Sequence, residues 1–167
     1  LLSSLNKSTD TFKLLNKNGV GINFDSEKLE EVIKEISIIS ESDILRMKML
    51  KLSGSIIGNN SVVREKTFIL IPDNLEIGKN SHIRSHSILY EGSSFGEKFY
   101  TGHHCLIREG NIAGKNLQIG SYSELEGNIQ IGDYSRIHSK VQISKKVVIG
   151  SFCYLFPRVQ TSDDPLP

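Results

Sequence analysis

Two adjacent histidines, His103 and His104, stand in the stretch Thr101-Gly102-His103-His104-Cys105-Leu106-Ile107-Arg108-Glu109. An imidazole that ionises near neutrality can take and return a proton at physiological pH, so either is a candidate general base. The competing reading makes both of them solvated turn residues. Three further histidines, His82, His86 and His138, raise a different chemistry, because three imidazoles converging on one ion would make a zinc site. Arg108 and Glu109 carry charge suited to the phosphates or sugar of a substrate, with Glu126 a further candidate contact. Alternatively, Arg108 and Glu126 form a structural ion pair. The placement of these side chains decides among the readings.

That placement is set by a repeat of six residues that holds phase from Ile71 to Gln160. The first position of successive units is Ile71, Ile77, Ile83, Leu89, Phe95, Thr101, Ile107, Ala113, Ile119, Leu125, Ile131, Ile137, Ile143, Ile149 and Leu155, of which only Thr101 and Ala113 are not large and apolar. The fifth position is again apolar or small, as at Leu75, Ser81, Phe99, Cys105, Leu117, Ile129 and Cys153, and the second is repeatedly glycine. A helix needs apolar spacings of three and four, and hairpin sheets do not keep phase over such a length. A short fixed period therefore predicts a solenoid. Two more units begin at Ile57 and Val63, and the phase then slips by two residues at Ile69 and Leu70, which predicts a small bulge or loop there. The five histidines occupy four of the six positions in their units, so the pattern supplies no third ligand for a metal, and none is expected.

The aliphatic first positions and the frequent Ile-Gly pairs over residues 57–167 resemble the left-handed β-helix of the hexapeptide-repeat acyltransferases. The segment Thr101 to Glu109, then Leu125-Glu126-Gly127-Asn128, and Pro157 with Thr161-Ser162-Asp163, are similar to the branch that acetylates nucleotide-linked sugars for surface polysaccharide synthesis. Ser162 departs from that branch, which commonly has asparagine before the aspartate. The resemblance implies three units per triangular coil, so residues eighteen apart stack at about 4.8 Å. It also implies acetyl-CoA as co-substrate, a nucleotide-sugar acceptor and a homotrimer with its sites between subunits. The family's Thr-Gly-His histidine falls on His103, making it the first candidate base and His104 the second. Pantetheine runs in the family along the column of His103, which continues here as Ser121, Ser139 and Pro157 with Ser85 one coil before. His86 is the stacked neighbour of His104, and it joins Arg108, Glu109 and Glu126 as a substrate-binding candidate. A zinc carbonic anhydrase and a non-catalytic β-helix scaffold are the alternative uses of such a fold.

Residues 1–55 read as an N-terminal helical segment or cap, and 56–167 as the β-helix domain. Asp25 and Ser26 cap a helix expected over Ser26 to Ile38, with Leu29, Val32, Ile33 and Ile36 on one face. A second helix follows Ser40-Glu41-Ser42-Asp43, carries Ile44, Leu45, Met47 and Leu52, and stops near Ser53-Gly54. Ahead of both, Lys17 to Phe24 reads as a turn into a short strand, and Thr11 to Ile36 bears a faint resemblance to the last strand and helix of a two-domain glycosyltransferase. The formal net charge of +1 offers no basic face for nucleic acid. No apolar run is long enough to span a bilayer and the amino end lacks the pattern of a signal peptide, so a cytoplasmic protein is expected. Cys105 and Cys153, both at fifth positions, read as core thiols.

Overall fold

The structure, a computed structural model, describes residues 42–70 and 74–162. The helix expected over Ser26 to Ile38, the strand before it and the glycosyltransferase-like passage lie outside the described residues. Those described are mainly β: a parallel solenoid of about five turns, preceded by one short helix.

Helix α1 runs over Asp43–Leu52, with Ser42 as its N-cap accepting from the Leu45 amide and Asp43 in the first turn, where the helix dipole favours a carboxylate. Its buried side chains are Arg46, Met49 and Leu50, whereas Ile44, expected on the apolar face, is 73% exposed. The buried Arg46 is satisfied in part by Asp43 Oδ1 at 2.7 Å and by the carbonyl of Val63 at 3.0 Å, so this guanidinium docks the helix on the first coil.

Among the described residues every strand is two residues long, and the strands form three parallel sheets of six, six and five. In most, the second residue, at the first position of the repeat unit, is buried while its predecessor is partly or fully exposed. Registers such as Gln118↔Arg136 and Gln118↔Tyr100 put residues eighteen apart side by side. Across the phase slip the pairing becomes Ile56↔Glu76, Val62↔His82 and Phe68↔Ile88, so the two extra residues are absorbed without ending the sheets.

The fourth position of each fully described unit has a positive φ, occupied by Gly92 and Gly110 but otherwise by residues such as Asn60, Lys98, His104, Tyr122 and Lys140. This left-handed residue turns the chain at each corner. The fifth position points inward again. Where it is serine, the hydroxyl is satisfied locally: Ser81 Oγ donates to the Gly78 carbonyl at 2.7 Å and accepts from the Phe99 amide at 3.0 Å. A buried polar side chain is thereby tolerated in the core.

Cys105 is buried, and burial raises the pKa of its thiol, which suits a core residue and not a nucleophile. Cys153 is half-buried on the last described coil, where Val147, Ile149, Leu155 and Val159 are also only partly covered.

Candidate functional site

One sheet carries the strands Val62–Val63, His82–Ile83, Tyr100–Thr101, Gln118–Ile119, Arg136–Ile137 and Tyr154–Leu155. Its outer surface holds an open groove of about 440 Å³, bordered by His82, Arg84, Tyr100, Gln118, Arg136 and His138, with Ser121 and Ser139 on one wall. A second hollow of about 300 Å³ lies beside it among Arg64, Glu65, His82, Arg84, Ser85 and His103. His82 and Arg84 border both. Arg64 is paired with Asp43, but among the described residues Arg84 has no carboxylate partner. The groove, lined by Arg84 and Arg136 and by no carboxylate, is therefore cationic although the chain as a whole is nearly neutral.

His103 is held by both neighbouring coils. Its Nδ1 lies 2.9 Å from the hydroxyl of Ser85, and its backbone N–H donates to Ser121 Oγ at 3.0 Å. Gly102 permits this approach, because a Cβ at that position would fall on the backbone nitrogen and hydroxyl of Ser121. Ser85 stands at a nominally outward third position, yet it is 94% covered, its residue exposure being 6%. The other two histidines of this face have partners of another kind. Arg64 Nε donates to His82 Nε2 at 3.2 Å, and the Ser139 amide donates to His138 Nδ1 at 2.8 Å. A guanidinium and a backbone amide only donate, so each accepting ring nitrogen must be unprotonated. Desolvation lowers the pKa of His82, and the Arg64 and Arg84 cations lower it further.

The remaining candidates are distributed elsewhere. His104 sits on a corner at φ 55°, with its ring stacked on His86 at 4.8 Å and on Tyr122 at 5.0 Å. The stacking of His86 on His104 follows the eighteen-residue spacing. Pro157 is exposed on the last described coil and borders neither hollow.

Arg108 does not pair with Glu126. Its Nε and Nη2 reach the two carboxylate oxygens of its neighbour Glu109 at 3.2 and 3.3 Å. Glu126 instead accepts from Gln142 Nε2 at 2.7 Å. The adjacent carboxylate satisfies the guanidinium within one turn, which leaves the stacked one free for the next coil. A hydrogen bond from its own backbone N–H, with Arg108 beside it, holds the Glu109 carboxyl below the usual range. All three residues lie outside the groove and the hollow.

Residue pattern alone did not single out Arg64, Arg84, Arg136 or His82 as a set. The signal was present as basic residues at the second and sixth positions of units that lie on one face of the coil. Among the described residues no three His, Cys, Asp or Glu side chains are grouped so as to hold a metal ion, and no helix is long and apolar enough to cross a membrane. In comparisons with known proteins, no family model matches the chain and no curated protein does so at a significant level.

Proposed function

We propose that this chain is an acetyltransferase that moves acetyl from acetyl-CoA to an amino or hydroxyl group of a nucleotide-linked sugar in the cytoplasm. The observation that carries the reading is the position of His103, which borders the hollow and is pinned by Ser121 on the wall of the adjoining cationic groove. Unpaired arginine on that face suits a ligand bearing phosphate, as both the nucleotide sugar and coenzyme A do.

In the proposed reaction the acceptor nitrogen or oxygen attacks the thioester carbonyl while His103 removes its proton. The tetrahedral intermediate carries its negative charge on the former carbonyl oxygen, and a backbone N–H stabilises it. Collapse breaks the carbon–sulfur bond, and the imidazolium returns the proton to the departing sulfur. The products are the acetylated sugar and free coenzyme A. The resemblance to the hexapeptide-repeat acyltransferases supports a homotrimer, in which a neighbouring copy would close the open side of the groove.

The test is thiol release from acetyl-CoA across a panel of amino- and hydroxyl-bearing nucleotide sugars. Acceptor-dependent release is expected for at least one member. Release from none of them would overturn the acetyltransferase reading, and a failure to hydrate carbon dioxide as well would leave a scaffold.

A further inference from the structure

Three histidines face the groove and the hollow, and they differ in what protonation would do to them. His82 and His138 each use a ring nitrogen to accept from a group that can only donate. Taking a proton on that nitrogen would destroy the bond and set two donors against each other. The partner of His103 is a hydroxyl, which can donate to a bare ring nitrogen or accept from a protonated one. Of the three, only His103 can pass between imidazole and imidazolium without losing its partner.

We propose that Ser85 is the positioning residue for His103: in the resting state its Oγ accepts from Nδ1–H, which leaves the Nε2 lone pair free to receive the acceptor's proton. This inference rests on the acetyltransferase reading for its purpose but not for its geometry. Ser85 comes from the coil before His103, and it is buried at 6% exposure, so water does not compete freely for the bond. Nδ1–H stays bonded to the same oxygen when the proton arrives at Nε2. No ring flip is then required between proton removal and proton return. The backbone bond from His103 N–H to Ser121 Oγ fixes the other end of the residue, so ring and main chain are held from opposite sides along one column. His104, stacked between His86 and Tyr122 on the corner, has no counterpart to this serine.

Nitrogen-15 NMR of the ligand-free protein reads the tautomer directly, and acetyl transfer reads its consequence. For the wild type we expect neutral His103 to report the Nδ1–H form. In Ser85→Ala the ring should revert toward the Nε2–H form and kcat should fall about 10- to 100-fold with little change in KM, the range typical when a partner that orients a histidine is removed. Ser85→Thr keeps the hydroxyl and should restore both. A wild-type ring in the Nε2–H form, or a Ser85→Ala protein that keeps both tautomer and rate, overturns the assignment. If Ser85→Ala does not fold, the wild-type and Ser85→Thr spectra still decide it. A wild type with the Nδ1–H tautomer but no transfer to any nucleotide sugar supports the positioning bond and counts against the acetyltransferase instead.

Discussion

Arg64 Nε donates to His82 Nε2 across 3.2 Å, and the same guanidinium is paired with Asp43 in the first turn of helix α1. The helix, the first coil and the rim of both hollows are thus tied by one chain of polar contacts. Desolvation and the two arginines depress the pKa of His82 in the folded protein below its ordinary 6.5. The unfolded chain then binds a proton at His82 before the folded one does as pH falls. Stability from this residue is therefore complete above about pH 6.5, declines as pH drops below it, and levels off beneath the folded pKa. Acid titration followed by thermal unfolding should show that decline in the wild type and a smaller one in His82→Gln. An equal decline in both would show that His82 is not its source.

His103→Ala should leave the solenoid and its oligomer intact while lowering acetyl transfer by roughly two to four orders of magnitude, the usual contribution of a general base. His104→Ala removes only a ring from an exposed stack, and its effect on rate should be within a few-fold. The stack itself is worth on the order of 1 kcal/mol. Steady-state kinetics on both variants separates the two histidines, and a reversed order of effects would transfer the role to His104.

The coil architecture was legible in the sequence because each six-residue unit repeats one demand: a buried aliphatic, a corner and a second inward side chain. Counting in eighteens placed Ser121 beside His103 and His86 against His104, as the hydrogen bond and the ring stack bear out. Contacts that run down a column are readable in this way. That the Arg64–His82 bond runs diagonally is not readable, since the two are eighteen apart but paired residues across the phase slip are twenty apart, so the bond reaches from beyond Val62 to the residue paired with Val62. Nor was the fate of Arg108 readable, because a column shows which carboxylate stacks on a guanidinium but not that the next residue along will capture it first. The burial of Arg46 in place of Ile44 has the same origin, for helical periodicity cannot see the carbonyl of Val63 to which the arginine is bonded.

Arg84 and Arg108 offer a direct contrast between a cation without a carboxylate partner and one already paired. Arg84→Ala should raise KM for the nucleotide sugar or for acetyl-CoA about tenfold, corresponding to one lost charge-assisted contact of about 1.4 kcal/mol. Arg108→Ala breaks a half-exposed pair with Glu109, and such pairs contribute about 0–1 kcal/mol to stability. Its kinetic constants should stay close to those of the wild type. A large KM effect at Arg108 would move the substrate to a different face of the prism.

Gly102 and Lys98 test two backbone features of the coils, a close approach beside the groove and a left-handed corner away from it. A Cβ at residue 102 would strike the main chain of Ser121, which cannot yield as the end of a flexible side chain would. Gly102→Ala should therefore cost about 1–3 kcal/mol, as overpacking does, and also reduce transfer by displacing the Ser121 contact to the His103 amide. Lys98 lies at φ 59° on an exposed corner, where glycine avoids the steric cost of the left-handed region. Glycine also gives up more chain entropy on folding, so the two effects offset and Lys98→Gly should change stability by less than about 1 kcal/mol, without affecting transfer. Denaturant unfolding of the two variants distinguishes them. Equal destabilisation would mean that coil-to-coil approach at Gly102 is no tighter than at an open corner.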